Sequence, residues 1–122
     1  MVIGIGVDIV EVKRIAHALE SAMIERVFTE VEIQYSTARK SKFQHFAGRF
    51  AAKEAALKAL GTGWQKGIRW KDVEVVSNKL GKPQLVFHRR ARKIYHESGA
   101  RQSHVTITHS TDYAVAVVIL EK

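Results

Sequence analysis

The stretch FQHFAGRFAAKEAALKALG, residues 43–61, predicts one long helix closed by Gly61, because glycine readily supplies the left-handed residue at a helix end. Glu54 lies near the middle of the apolar stripe of this helix. A carboxylate directed at a protein core is costly unless a cation or a hydrogen bond compensates it. Glu54 is therefore the best candidate in the sequence for a metal ligand or a catalytic base. The stripe itself consists of Phe43, Phe46, Ala47, Phe50, Ala51 and Leu57.

Lys58 follows Glu54 at i+4, on the flank of the same stripe. Beside a metal site, Lys58 would act as a phosphate-binding charge or a general acid. Two simpler interpretations stay open. The two residues could form an ordinary helical ion pair, or Lys58 could be a solvated cation near the helix end, where a cation is favoured.

The alternation of residues 2–9 predicts a first strand that carries Asp8 near its end. Gly4 and Gly6 share a face with Asp8 and leave room for something bulky to come close. Glu11 follows Asp8 at the spacing of a capping box, so Asp8 could simply cap the next helix. If the strand end instead meets the long helix, Asp8 and Glu54 suit magnesium. This ion takes one or two carboxylates and leaves its other positions to water and substrate phosphates.

The other patterns complete an α+β order: strand, helices, hairpin, helix and a final hairpin. Thr29 and Glu32 have the spacing of a helix start, and Ser41 and Gln44 repeat it. We expect a loop at 64–71, strands at 72–76, 84–87, 104–110 and 113–120, and a basic helix at 89–98. An antiparallel sheet packed on one long helix is the simplest architecture. The last strand is nearly all apolar, so we expect both its faces to be covered, and another subunit could supply the second cover.

Composition limits the function classes. A chain of 122 residues predicts a single domain over 1–122, and the absence of cysteine excludes disulfides and thiolate metal sites and fits a reducing compartment. No apolar run reaches the length of a membrane span. The formal net charge of +8 favours a polyanionic partner, whether nucleic acid, anionic membrane, phosphate-rich small molecule or acidic protein. Arg14 and Arg26 could dock an acidic partner.

With these residues assembled, the chain resembles the holo-[acyl-carrier-protein] synthases, a family of small bacterial 4'-phosphopantetheinyl transferases. The resemblance covers essentially the full length and depends most on residues 48–61, GRFAAKEAALKALG. Three further segments carry it: Gly4-Ile5-Gly6-Val7-Asp8-Ile9, Gly81-Lys82-Pro83, and Val105-Thr106-Ile107-Thr108-His109-Ser110. The resemblance implies transfer of phosphopantetheine from coenzyme A to a serine of apo acyl carrier protein, with release of adenosine 3',5'-bisphosphate.

The resemblance also implies roles for particular residues. Asp8 and Glu54 would bind magnesium, or manganese in its place, together with the coenzyme A pyrophosphate. Lys58 would join them in catalysis and, with Gly61, His109 and Arg49, hold the nucleotide and its phosphates. Arg14 matches the docking position for the carrier protein. The resemblance further implies a homotrimer with active sites between subunits, in the cytoplasm, with neither nucleic acid nor membrane as partner.

Two rival interpretations stay open at this point. A basic module that binds RNA or DNA without catalysis would explain the charge, but it leaves Glu54 unexplained and no recognisable nucleic-acid motif supports it. An oligomeric scaffold would explain the last strand but not the acids. His109, taken alone, is more often a core or edge residue than a functional one, and it gains a role only if its strand end reaches the same cleft.

Overall fold

The computed structural model describes residues 1–64 and 67–122. Its elements follow the predicted α+β order, and the predicted fold class is confirmed. The bounds are β1 (Val2–Glu11), α1 (Val12–Ala18), α2 (Met23–Val27), α3 (Glu30–Thr37), α4 (Lys42–Leu60), a 3-10 turn (Trp70–Asp72), β2 (Val73–Ser77), β3 (Pro83–Phe87), α5 (Arg89–Glu97), β4 (Gln102–His109) and β5 (Tyr113–Glu121). Gln65 and Lys66, which belong to the predicted loop 64–71, lie outside the described residues.

The strands form two antiparallel sheets where the sequence suggested one. A three-stranded sheet has the order β1-β5-β4, and β2 pairs with β3 in a separate hairpin. The register places Asp8 opposite Ala116 and Gly6 opposite Val118. The last strand, β5, therefore lies in the middle of this sheet, between β1 and β4.

Helix α4 packs on the three-stranded sheet with its backbone close to β1. A Cβ atom at Gly4 would lie 2.2 Å from the carbonyl oxygen of Ala59, and one at Gly6 would lie 1.8 Å from that of Ala55. No side chain fits at either position. The bulky neighbour that the two glycines admit is therefore α4 itself, and this contact brings the end of β1 alongside the helix that carries Glu54.

The opposite face of this sheet is open, and its β1 and β5 rows are apolar while its β4 row carries His104, Thr106 and Thr108. Ile5, Val7 and Ile9 are 64%, 53% and 63% exposed, and they pair across the sheet with half-buried residues of β5 (Ile119, Val117 and Val115). The other face of β5 is buried against α4 (Ala114, Ala116, Val118 and Leu120). Within one chain, the expected double cover of β5 is therefore present on one face only.

Of the three predicted helix starts, the cap at Asp8 is wrong and the one at Thr29 is confirmed, while α4 begins directly after Ser41 as predicted but without the predicted side-chain cap. Strand β1 continues through Glu11, so Asp8 does not cap α1, and the Ser41 side chain makes no capping hydrogen bond to α4. Thr29 and Glu32 do form a reciprocal cap, with the Thr29 amide 2.8 Å from Glu32 Oε1. Gly61 closes α4 in the left-handed region, at φ 77°.

None of the described helices is both long enough and apolar enough to cross a membrane.

Candidate active site

The end of β1, helix α1 and helix α4 enclose one cavity of 450 Å³. Asp8, Arg14, Glu54 and Lys58 line it, together with the ring of Phe50. The close approach of β1 to α4 at the two glycines places Asp8 beside the helix face that carries Glu54 and Lys58. The structure thus brings the two predicted metal ligands, the predicted catalytic lysine and one predicted docking residue to one place.

Lys58 reaches across this cavity to the strand. Its Nζ donates to Asp8 Oδ1 at 3.1 Å and to the Val7 carbonyl at 3.0 Å. The side chain of Asp8 is 17% exposed and that of Lys58 is 54% exposed, so the pair is partly screened by water. Among the described residues Lys58 has no contact of this kind with Glu54, and the interpretation as an i,i+4 pair is therefore wrong.

Glu54 is half-buried and has a different partner. Its Oε1 accepts a hydrogen bond from the indole Nε1 of Trp64 at 3.2 Å. Within 1–64 and 67–122, neither Glu54 Oε2 nor Asp8 Oδ2 has a hydrogen-bond partner. Two carboxylates on one cavity, each with a free oxygen, are a donor set that fits magnesium bound jointly with substrate phosphates. The described residues hold no group of three acids or histidines that could bind a metal by themselves.

His109 and Arg49 line a second cavity of 170 Å³, with Tyr35, His45 and Pro83 among its walls. Arg49 is only 4% exposed. Its Nη2 donates to Ser77 Oγ at 2.9 Å, while its Nε has no hydrogen-bond partner in the described part of the chain. The rings of His45 and His109 meet edge to face, with 5.2 Å between centroids. A buried cation and two histidines make this cavity suited to an anion.

Two guanidinium groups enclose the ring of Tyr35 beside this second cavity. The Cζ atom of Arg39 lies 3.4 Å from the ring centroid and that of Arg49 lies 3.8 Å from it. Although burial opposes the shift, a hydrogen bond with Ser77 and the two arginine charges lower the pKa of Tyr35. Burial, and then the charges of Arg49, His109 and Arg39, lower the pKa of His45. The charges of Arg49 and Arg39 contribute to both shifts, although burial is the larger cause for His45.

The remaining predicted site residues lie elsewhere in the chain. Gly61 is exposed at the end of α4. Arg26 lines a third cavity, of 770 Å³, whose walls include Arg69, Lys71 and Arg89. Within a single chain, the residues expected to hold the nucleotide are therefore divided between the first cavity (Lys58) and the second (His109 and Arg49).

Residues 4–118 match the family model described as the 4'-phosphopantetheinyl transferase superfamily. The chain belongs to this superfamily. It is 46% identical over 125 residues to the holo-[acyl-carrier-protein] synthase of Geobacter sp. (strain M21), covering 100% of both chains. It is 44% identical over 124 residues to that of Koribacter versatilis (strain Ellin345), covering 99% of both. The resemblance seen in the sequence is confirmed.

Solved structures of the same kind agree with the fold. The synthase of Neisseria meningitidis superposes with a TM-score of 0.90 at 31% identity, covering 100% of both chains. The synthase of Bacillus anthracis, in complex with coenzyme A (3',5'-ADP), superposes with a TM-score of 0.82 at 38% identity, covering 98% of this chain and 96% of that one.

Sequence reasoning missed a buried ion pair behind the cavity of this phosphopantetheinyl transferase. Lys53 Nζ lies 2.9 Å from Glu32 Oε1, and both side chains are fully buried. Burial lowers the pKa of Lys53, and the charge of Glu32 opposes that shift. The signal was present in the sequence, because Phe46, Phe50, Lys53 and Leu57 follow one another at spacings of four, three and four, which puts Lys53 on the apolar stripe.

Glu32 is satisfied on both oxygens, which explains how the pair tolerates burial. Oε1 also accepts the amide of Thr29 at 2.8 Å, and Oε2 accepts the amide of Val75 at 2.9 Å. Lys53 donates in addition to the carbonyls of Trp70 and Val73. A buried charge pair with this many hydrogen bonds fixes α3, α4 and β2 relative to one another.

Proposed function

We propose that this protein is a holo-[acyl-carrier-protein] synthase, which transfers 4'-phosphopantetheine from coenzyme A to a serine of apo acyl carrier protein. The products are holo acyl carrier protein and adenosine 3',5'-bisphosphate. One observation carries the assignment of the site: in a chain of this superfamily, Asp8 of β1 meets Glu54 and Lys58 of α4 in one cavity. Acids and a base placed together in this way suit transfer of a phosphate-linked group.

In the reaction, the serine oxygen forms a bond to the phosphorus that carries pantetheine, and the bond from that phosphorus to the leaving nucleotide breaks. The serine proton must go to a base. Glu54 is the proposed base, because its carboxylate is half-buried in the cavity and one of its oxygens has no hydrogen-bond partner among the described residues. Lys58 donates hydrogen bonds beside it and supplies positive charge for the phosphates.

Magnesium is the proposed cofactor, with manganese as a possible substitute, and Asp8 and Glu54 would hold it. Bound there, the ion would neutralise charge on the coenzyme A pyrophosphate. Within residues 1–64 and 67–122, one oxygen of each carboxylate has no hydrogen-bond partner, which supports this proposal, since magnesium needs few protein ligands when a substrate supplies the rest.

A homotrimer with active sites between subunits is the proposed assembly. The apolar β1 and β5 rows on the open face of the three-stranded sheet support it, because Ile5, Val7 and Ile9 are more than half exposed in one chain. The division of the nucleotide-binding residues supports it too. In this proposal, the first cavity of one subunit is completed by the second cavity of its neighbour, so that His109 and Arg49 face the nucleotide held by Lys58 and Gly61.

Arg14 is the proposed docking residue for the carrier protein. Its side chain is exposed and lines the cavity of Glu54, so a partner held there would present its serine to the reacting groups. Arg26 lies at the separate basic cavity and is a second proposed docking residue. A cytoplasmic location, expected from the sequence, stays a prediction.

The experiment is intact mass spectrometry of apo acyl carrier protein incubated with this protein, coenzyme A and magnesium. We expect a gain of one phosphopantetheinyl group that is lost when the metal is chelated. The matched control is Glu54→Gln, which keeps the shape and one oxygen that can accept the Trp64 hydrogen bond but removes the charge, and which should abolish most turnover while the protein stays folded. If the Glu54→Gln enzyme is fully active, Glu54 is not the base of the reaction. No gain on several apo carriers, from a folded preparation, would refute the proposed function.

A further inference from the structure

The carboxylate that the reaction depends on is held by one tryptophan. Trp64 donates its indole N–H to Glu54 Oε1 at 3.2 Å. In residues 1–64 and 67–122, no other group donates a hydrogen bond to Glu54, and Lys58 directs its ammonium group to Asp8 instead. The orientation of the Glu54 carboxylate therefore depends on where Trp64 lies.

Trp64 is in turn held by a stack of aromatic rings. Its ring centroid lies 3.7 Å from that of Trp70, and Trp70 stacks on Phe50 at 5.0 Å with an angle of 25° between the planes. Phe50 lies one helical turn before Glu54 and lines the same cavity. The stack thus reaches the cavity through Phe50 and places Trp64 next to the carboxylate. Stacked aromatic pairs add stability beyond the area they bury.

The end of α4 is built so that the chain turns back to Glu54. At 1.5 Å per residue, Glu54 lies roughly 10 Å before the helix end. Gly61 and Gly63, with φ of 77° and 58°, take left-handed conformations that other residues rarely adopt. These two positions reverse the chain direction, and the next residue, Trp64, lies against the helix it has just left.

The aromatic stack is also anchored from the interior. Lys53 directly precedes Glu54 and donates to the carbonyl oxygen of Trp70 at 3.1 Å. Lys53 is fully buried and paired with Glu32. The turn of α4 that carries Glu54 is therefore hydrogen-bonded to the segment that carries Trp70. Buried Lys53 thus fixes the position of Glu54 relative to the aromatic stack.

We propose that Trp64 is a positioning residue for Glu54: its indole N–H holds one carboxylate oxygen and so presents the other to the reactants. The catalytic part of this inference rests on the proposed function, whereas the hydrogen bond between Trp64 and Glu54 is observed in the structure. An indole only donates and carries no charge, so it orients the carboxylate without neutralising it. This property suits a carboxylate that has to bind a cation or accept a proton.

The test is Trp64→Phe, which keeps an aromatic ring in the stack and removes the donor. We expect kcat to fall about tenfold, the scale of one hydrogen bond to a charged group, with an unchanged KM for the carrier protein. Manganese binding, followed by fluorescence of the remaining Trp70, should shift to higher concentration by several-fold. Tyr95→Phe is the matched control, because it removes one polar atom from a ring that stacks on Phe87, outside the cavities described above. Tyr95→Phe should change neither kcat nor the manganese concentration needed for binding.

A second variant separates the donor from the ring. Replacing Trp64 by its benzothiophene analogue keeps the size and the stacking but lacks the N–H group. We expect this variant to be as slow as Trp64→Phe. If the analogue is as fast as the wild type, the N–H group has no positioning role and the inference is overturned.

The outcomes separate this inference from the proposed function. If the folded wild type modifies no carrier protein, the proposed function fails, and the manganese titration still decides the role of Trp64. If the wild type is active and Trp64→Phe has wild-type kcat and manganese binding, the positioning role is refuted while the proposed function stands.

Discussion

Lys58 on α4 and Asp8 on β1 form an ion pair across 50 positions of the sequence, with 3.1 Å between Nζ and Oδ1. The same ammonium group donates to the carbonyl oxygen of Val7 at 3.0 Å. One lysine therefore joins the strand to the helix at the mouth of the cavity that also contains Glu54. It occupies one oxygen of Asp8, and in the described part of the chain the second oxygen has no partner, so a cation and the lysine can share the carboxylate.

Lys58→Ala should lower kcat/KM for coenzyme A by about tenfold or more, because the phosphates lose a charged donor. Initial rates at varied coenzyme A concentration would measure the change. Lys93→Ala, which removes an exposed cation from α5, is the control and should leave the kinetics unaltered. If Lys58→Ala also behaves as the wild type, Lys58 is a solvated residue near a helix end.

Arg14→Ala should raise the KM for the carrier protein by several-fold, which is the scale of one exposed ion pair. The KM for coenzyme A should stay unchanged. The effect should shrink as salt is added, since exposed charges are screened. Arg101→Ala, an exposed arginine just before β4, is the control for a general loss of positive charge. If both KM values rise together, Arg14 acts on the site itself and is not a docking residue.

The elements of this fold could be predicted where the signal is local. The alternation of β1, the cap formed by Thr29 and Glu32, and the glycine closure at Gly61 each depend on residues a few positions apart. The start of α1 was placed wrongly, because Asp8 and Glu11 have the spacing of a cap while the strand continues through both. Pairing with β5 outweighs the local preference there.

The site could be predicted only in part, because its contacts are distant in sequence. The helical wheel found Glu54 but could not assign Lys58 to Asp8 instead of Glu54. The partner of Lys53 lies 21 positions earlier, on a different helix, and nothing in the spacing identifies it. The separation of His109 from the acids also follows from sheet topology, which places β4 on the far side of β5 from β1.

Gly6→Ala should destabilise the protein strongly, because a Cβ there would lie 1.8 Å from the carbonyl oxygen of Ala55 and the helix backbone would have to move. We expect a loss of at least ~3 kcal/mol, the upper part of the range for overpacked cores. Denaturant unfolding would measure it.

Gly48→Ala is the matched control for that change. Its Cβ would meet only a methyl group of Ile107, at 2.7 Å, and alanine favours a helix interior by about 1 kcal/mol over glycine. The two effects oppose each other, so the net change should be small. Equal losses for the two variants would contradict the close packing of β1 on α4.

His45 should make the protein less stable as the pH falls below 6.5. Burial, with the charges of Arg49, His109 and Arg39, lowers the pKa of His45 from its ordinary value of 6.5 in the folded state. Between the lowered pKa and 6.5 the unfolded chain binds more protons, so stability rises with pH across this window. His45→Gln should flatten that rise in unfolding experiments between about pH 5 and pH 8. An unchanged slope would show that His45 does not contribute to it.

Mixed trimers should reveal whether one site takes residues from two subunits. A subunit with Glu54→Gln and a subunit with His109→Ala should each form weakly active homotrimers. If the first cavity of one subunit works with the second cavity of its neighbour, co-assembly creates some sites with both residues intact. Random assortment predicts roughly a quarter of wild-type activity in an equal mixture. The mass-spectrometric transfer assay would measure it.

The control for this experiment uses two changes in one cavity. Glu54 and Lys58 line the same cavity of the same chain, so mixing Glu54→Gln with Lys58→Ala should create no intact site and restore nothing. Recovery in the first mixture and not in the second would establish sites between subunits. If neither mixture recovers although the subunits exchange, each site is complete within one chain, and His109 has no part in the site of a neighbour.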